Sequence, residues 1–320
     1  MMSMSPADYL VDRRKLRSQL TFWRIVAFVA AAIAILAIAL RVGSWISSTQ
    51  AHIARIEISG VITGDKKTLN LIDEVAKSNA AAAVLEINSP GGTTEGSEAL
   101  YGEIRRLAAK KPVVAVIGAV GASGAYITAL AADRIVVRGN SLVGSIGVLV
   151  EFPNVSGLMD KVGVKLESIK SSPLKAAPNG FEPTSDAAHD AMAALVADSY
   201  AWFKDLVRER RGLSDDELAK VADGRVFSGR QSLPLKLADA LGGEREAIAW
   251  LETEKGVAKD LPIRDWKPPA TFAGLHLTSL AAKIADIAGL SGLAAALRES
   301  SNVEAPVDGL LSVWQLSAGD

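Results

Sequence analysis

The stretch "PVVAVIGAVGASGAYITALAA", residues 112 to 132, joins an apolar run to a helix of small residues through a glycine-rich turn. Its first part, residues 112–118, is rich in β-branched side chains and is typical of a buried strand. Three glycines follow at intervals of three, and one serine, Ser123, lies among them. Ser123 is therefore predicted to lie at a strand-to-helix turn.

Strand-like and helical patterns alternate on both sides of this stretch. Before it, strands are predicted at 53–59 and 82–88, each followed by a helical pattern, at 69–78 and 95–110. This alternation is the signature of an α/β domain with crossover connections. Beyond the stretch, strands are predicted at 134–137, 143–150 and 164–170, and helices at 155–163, 186–211, 214–223, 229–240 and 244–255.

The composition excludes several classes of function. The chain has 320 residues, 49% of them hydrophobic, so it can bury a substantial core. Its 35 basic and 36 acidic residues leave no cationic surface of the kind that nucleic-acid binding requires. The absence of cysteine excludes disulfides, thiolate metal sites and a cysteine nucleophile. The chain has three histidines, His52, His189 and His276, and their spacing is not that of metal ligands. No metal or cofactor is therefore expected.

Near the N-terminus, residues 25–40 form an unbroken apolar run between two arginines. Continued through residue 47, the run reaches the length of about 20 residues that a helix needs to cross a bilayer. The basic residues before it predict, by the positive-inside rule, a cytoplasmic tail at 1–24 and an exported remainder. We therefore expect residues 25–47 to be a transmembrane signal anchor. The alternatives are a signal peptide cleaved near residues 37–39 and a buried core helix.

The pattern changes again past about residue 258. A proline-bearing stretch leads into an alanine-rich amphipathic segment. We expect one folded domain at 53–257 and a partly helical extension at 258–320. The extension could pack on the domain or on a second subunit, or lie at the membrane surface.

The turn around Ser123 admits three interpretations. Glycines at a helix start can bind phosphate through backbone N–H groups, but the lysine and hydroxyl residue that complete a phosphate loop are missing. The second interpretation is close packing of helix on strand. The third is a nucleophile, although the G-x-S-x-G pattern of α/β-hydrolases fails because Ala125 replaces its second glycine.

A serine nucleophile needs a base that accepts its proton. No histidine lies in a convincing place for a Ser-His-Asp triad. A lysine can act instead if it is neutral, but only roughly one free lysine in 2,500 is neutral at pH 7, so burial must supply the neutral form. Lys175 lies in a loop with almost no acidic neighbour before Glu182, which suits a desolvated base. The alternative is a solvated surface lysine.

Five blocks occur in order along this sequence: "INSPGG" (87–92), "GASGAYITALAADRIV" (121–136), "GSIGV" (144–148), "SIKSSPLKAAPNGFEPTS" (168–185) and "GRVFSGRQSLPLKLADALGG" (224–243). Together they resemble the signal peptide peptidase A family of membrane-bound serine proteases, distant relatives of Clp protease and of the crotonases. The resemblance implies an α/β domain of the crotonase or Clp-protease type, preceded by one N-terminal transmembrane helix.

The resemblance also assigns roles to individual residues. It places the oxyanion hole at the backbone N–H groups of Gly92 and Gly124, and on physical grounds Gly91 cannot be separated from Gly92. Such a hole needs two N–H groups about 3 Å from the developing charge, and glycine lets the main chain approach the substrate. The resemblance implies three catalytic side chains: Ser123 as the nucleophile, Lys175 as the general base and Ser145 to orient the lysine.

The resemblance further implies a serine endopeptidase anchored in the bacterial inner membrane, with its catalytic domain outside the cytoplasm. Remnant signal peptides and other membrane-associated peptides would be degraded through an acyl-enzyme. It also implies a homo-oligomer in which Lys175 is supplied by a neighbouring subunit. The rival hypotheses are a crotonase-type enzyme for acyl thioesters, against which export from the cytoplasm argues, and a catalytically silent scaffold for membrane quality control.

Overall fold

The computed structural model of this chain describes residues 50–268 and 311–313, and a few residues near the N-terminus: 23–24, 26–29, 31 and 35. It divides into two compact units, Met1–Gln50 and Ala51–Asp320. The described residues of the first unit before Gln50 are helical. Within the part of the chain so described, no helix is both long and apolar enough to cross a membrane. Most of the predicted anchor at 25–47 lies outside that part.

The second unit is built on one mixed sheet, which confirms the predicted α/β class. Its central strands are β1 (His52–Ile62), β2 (Ala80–Thr93) and β3 (Val113–Ala122), which pair in parallel. Crossover helices α1 (Lys66–Lys77) and α2 (Thr94–Ala108) connect them. The β2 strand is longer than the sequence pattern predicts, because it continues through the "SPGG" block instead of ending there.

Six further strands extend the sheet. Two of them, β8 and β9, come from beyond residue 257. The strands and their partners are β4 (Arg134–Val137) and β5 (Leu142–Gly144), both parallel to β3; β6 (Val226–Ser228), antiparallel to β5; β7 (Ala240–Leu241), parallel to β4; β8 (Ile263–Trp266), parallel to β1; and β9 (Leu311–Val313), antiparallel to β2.

The helices follow the predicted order, and the sequence pattern needs three corrections. The strand predicted at 143–150 is mostly wrong, because β5 ends at Gly144 and Ser145 has a positive φ. The segment 229–240 is not one helix, because Pro234 interrupts it and its last residue belongs to β7. Residues 164–170 do not form a strand; they are mostly exposed and pair with no strand of the described chain. The remaining helices are α3 (Gly124–Leu130), α4 (Ser156–Val162), α5 (Asp186–Arg211), α6 (Asp215–Val221), α7 (Gly229–Ser232) and α8 (Glu244–Glu254).

Helices cover both faces of the sheet. On one face, Leu85 of β2 packs in a large core with residues of α1, α2, α3 and α5, including Phe203. On the other face, Val84 and Val114 pack with Leu251 of α8. Because neighbouring residues of a strand point to opposite faces, strands covered on both faces must be apolar at nearly every position. This explains the unbroken apolar runs that predict the strands, and it makes the sheet a rigid base for the turns at its end.

Candidate active site

Ser123 lies at the sharp turn between β3 and α3. It is 2% exposed and has φ 57° and ψ −120°, a conformation that costs a residue other than glycine about 1–3 kcal/mol. The turn is held by its neighbours: the Ser123 N–H donates to Gly144 O at 2.8 Å, and its carbonyl accepts from the Tyr126 and Ile127 N–H groups. The side chain makes no capping bond to α3. The surrounding structure therefore maintains a strained serine at a strand-to-helix turn.

Tyr126 fixes the helix that follows the turn. Its ring is fully buried and its hydroxyl donates to Leu237 O at 2.8 Å. Burial raises the pKa of the Tyr126 phenol, which therefore stays neutral and donates. The first turn of α3 is thus tied to the segment after α7, and Ser123 cannot shift without moving this anchor.

Ser145 occupies the equivalent place on the neighbouring strand. β3 and β5 pair in parallel up to Ala122 and Gly144, so Ser123 and Ser145 are the next residues on two adjacent strands. Ser145 is also buried and at positive φ, 50°, and its N–H donates to Arg225 O at 2.8 Å. The structure thus brings together two serines that are far apart in the sequence, as a role for Ser145 beside the nucleophile requires.

The "SPGG" turn distinguishes Gly91 from Gly92, which physical reasoning on the sequence leaves equivalent. The Gly91 N–H donates to the Ser89 hydroxyl at 3.1 Å, and that hydroxyl donates to Gly60 O at 2.6 Å. The Gly91 N–H is therefore engaged within its own turn. Gly92 is the better candidate for an oxyanion donor. Ser89 is fully buried, and the sequence alone does not single it out although it lies in the "INSPGG" block.

Gly92 has no room for a side chain. A Cβ atom there would lie 1.8 Å from Ile62 O on β1. β2 and β3 pair as far as Ser89 and Gly121, so the segments leading to Gly92 and to Ser123 leave the same end of the sheet. Gly124 directly follows Ser123 and begins α3. The two glycines predicted as oxyanion donors therefore flank the Ser123 turn from β2 and from α3.

Lys175 lies in the loop between α4 and α5. It is exposed, and its backbone N–H donates to Ser172 O at 3.1 Å. Its ammonium group makes no ion pair with any residue that the structure describes. Within a single chain, the predicted base Lys175 is therefore neither buried nor paired with a described acidic residue.

The one carboxylate that the sequence places near Lys175 is used elsewhere. Glu182 accepts from Lys170 Nζ at 2.5 Å and from Asn179 Nδ2 at 2.9 Å. The hydrogen bond from Lys170, followed by that from Asn179, lowers the pKa of Glu182. Elsewhere, no group of three acidic or histidine side chains in the described ranges is placed to hold a metal ion.

Comparison with known proteins shows similarity to peptidases. The sequence profile of peptidase family S49 matches residues 105–258, which include Ser123, Ser145 and Lys175. A Synechocystis sp. protein named for protease activity is 35% identical over 228 residues, 69% of this chain and 82% of the relative. A protein of Enterococcus faecium named signal peptide peptidase SppA is 29% identical over 255 residues, 74% of this chain and 73% of the relative.

Other matches cover less or are weaker. The chain spans 35% of the chloroplastic serine protease SPPA of Arabidopsis thaliana, to which it is 30% identical. Among solved structures, a ClpP1 mutant from Listeria monocytogenes aligns with a TM-score of 0.40 and 17% identity, over 61% of this chain and 94% of that one.

Proposed function

The chain belongs to peptidase family S49, and from this premise we propose that it is a serine endopeptidase with Ser123 as nucleophile and Lys175 as general base. The Ser123 turn is the observation that carries the proposal. A buried serine at positive φ, between a strand and a helix, is the strained geometry that presents a nucleophile in other hydrolases. A turn needed only for close packing would not require a residue other than glycine at this φ.

The proposed reaction proceeds through an acyl-enzyme. Ser123 Oγ attacks the peptide carbonyl carbon while Lys175 Nζ accepts the hydroxyl proton. The carbonyl oxygen becomes an oxyanion that accepts hydrogen bonds from the Gly92 and Gly124 N–H groups. When the C–N bond breaks, the lysine returns the proton to the leaving amine. Water then attacks the ester, again with the lysine as base. Ser145 holds the lysine amine near Ser123.

We propose that the lysine acts on the Ser123 of a second copy of the chain. In one chain Lys175 is exposed, so it lacks the desolvation that the proposed base requires. Large apolar side chains around it are exposed as well, among them Ile169, Leu174 and Phe181. An exposed apolar surface of this kind is typical of an interface, and its burial would desolvate Lys175 and favour the neutral amine. The homo-oligomer would thereby complete the site.

The proposed substrates are remnant signal peptides and other membrane-associated peptides. Two considerations support this: the apolar run predicted as an anchor at 25–47, and the relative named as a signal peptide peptidase. The proposal places the chain in the bacterial inner membrane with residues 1–24 in the cytoplasm and the catalytic domain outside. An extended apolar peptide would bind by adding a strand to an exposed sheet edge.

The test is cleavage of a signal-peptide substrate by the full chain in detergent. Ser123→Ala and Lys175→Ala should each lower kcat by about 1,000-fold or more. Lys165→Ala, which removes another exposed lysine of the same loop, should keep the activity. A fluorophosphonate probe should label Ser123. Full activity in either catalytic variant would disprove the mechanism, and a chain that neither cleaves peptide nor reacts with the probe would support a thioester enzyme or a silent scaffold.

Subunit mixing tests whether the base comes from a second copy. Ser123→Ala and Lys175→Ala chains are inactive alone, but an oligomer of both contains sites with the serine of one and the lysine of the other. Random assembly of equal amounts should restore about a quarter of the wild-type activity. No recovery after verified mixing would show that each chain uses its own lysine.

A further inference from the structure

The short strand β9 lies on the segment of β2 that carries the predicted oxyanion glycine. Leu311–Val313 run antiparallel to the last three residues of β2. The pairs are Gly91 with Val313, Gly92 with Ser312 and Thr93 with Leu311. The middle residue of β9 is therefore opposite Gly92.

The pairing of the neighbouring strands shows which edge of β2 receives β9. β1 pairs with β2 as far as Gly92, so β9 must lie on the other edge. That edge is occupied by β3 only as far as Ser89. β9 also lies against α3, the helix that begins after Ser123. It therefore fills the opening between the oxyanion segment of β2 and the nucleophile helix.

We propose that residues 311–313 occupy the position of the substrate backbone and must leave before a peptide can bind. The inference rests on the proposed function, because a peptide that binds by strand addition beside Ser123 and Gly92 needs this same edge. A strand that pairs with Gly92 and lies against the helix that follows Ser123 has the location of such a peptide. The chain thus carries a tethered competitor for its own active site.

The length of β9 suits a competitor that can be displaced. Three paired residues exchange only a few backbone hydrogen bonds, each with a small net value in water. A substrate that pairs over a longer stretch can therefore replace it. While β9 is bound, the apparent affinity for substrate falls in proportion to the fraction of sites that are open. The tether should raise KM and leave kcat unchanged, because the open site is the same.

Ser312→Pro tests the inference in the full chain. Proline removes the backbone N–H at the centre of the pairing and disfavours strand geometry. Loss of one or two backbone hydrogen bonds predicts a KM about tenfold lower with the same kcat. Ser317→Pro is the matched control: it puts the same residue five positions later in the sequence, beyond the three pairs described for β9, and should leave KM unchanged. Equal KM values for the two variants would overturn the inference.

A binding measurement separates this inference from the proposed chemistry. All chains carry Ser123→Ala, and the probe is a fluorescein-labelled peptide that copies residues 306–318. Fluorescence anisotropy should give a Kd about tenfold lower with Ser312→Pro than without it, and no change with Ser317→Pro. Equal Kd values, or no binding by any chain, would overturn the inference. If the peptidase proposal alone is wrong, cleavage is absent while the difference in Kd remains.

Discussion

Replacement of Ser89 by alanine tests whether this buried hydroxyl positions the oxyanion turn. The substitution removes the partner of two backbone groups: Gly60 O, at 2.6 Å from the hydroxyl, and the buried Gly91 N–H, at 3.1 Å. Gly60 is exposed, so water can replace the bond lost by its carbonyl, whereas the Gly91 N–H stays buried without a partner. An unsatisfied buried group costs about 1–3 kcal/mol, so the free energy of unfolding should fall by about that amount. The liberated Gly91 N–H also loses the bond that fixes the turn before Gly92.

The effect on catalysis should exceed what the loss of stability explains. A small misplacement of a reacting group or the loss of an oxyanion donor costs about 100-fold, so we expect kcat to fall by about 10- to 100-fold with little change in KM. Ser232→Ala is the control, because the equally buried Ser232 donates at 2.7 Å to Gly229 O in its own helix, α7. Urea unfolding gives the stabilities and peptide cleavage gives kcat. If Ser89→Ala lowers kcat no more than Ser232→Ala does, Ser89 has only a structural role.

Two further substitutions probe the glycine turn and the surface charges. Gly92→Ala should abolish cleavage and destabilise the fold, because the alanine Cβ would lie 1.8 Å from Ile62 O. The control is Gly102→Ala within α2, where a Cβ would meet no atom within 4 Å, and it should stabilise the fold by about 0.5–1 kcal/mol. Peptide cleavage by the Gly92→Ala chain would contradict the assignment of Gly92 as an oxyanion donor. Glu217 accepts a hydrogen bond from the Lys236 side chain and a second one from the backbone N–H of Ser214, the N-cap of α6. These bonds lower the pKa of Glu217 from 4.5 to about 2. The stabilisation from Glu217 is therefore complete above pH 4.5 and lost as the pH falls through about 2. Urea unfolding across this range should show wild type and Glu217→Gln converging at low pH, and a constant difference would exclude the ion pair as its cause.

The turn at Ser123 could be predicted from the sequence because its signals are local. An apolar run, a glycine turn and a small-residue helix follow one another without interruption. Pairing of Ser145 with this turn is different, since it depends on β3 and β5 meeting in the sheet. Ser89 was missed because a serine before Pro-Gly-Gly is also an ordinary turn residue. Its two bonds to neighbouring backbone segments become visible only when β1 and β2 are side by side.

The wrong predictions also have physical causes. Residues 164–170 alternate as a strand does, but a strand needs a partner and this exposed loop has none in the described chain. A helix is predicted at 229–240 because its apolar residues have helical spacing, but the regular helix ends before Pro234. The β9 strand could not be predicted, because three residues carry no periodicity and only the edge left by β3 gives them a place.

The hydrogen bond from the Ser123 N–H to Gly144 O has a consequence for the order in which the chain matures. Gly144 belongs to β5, which also needs β6, a strand made much later during synthesis. The strained turn is therefore stable only after distant parts of the chain have met. A partly synthesised chain that ends before residue 226 lacks this support. Under the proposed mechanism, a ribosome-bound or truncated chain would therefore have no peptidase activity until its folding is complete.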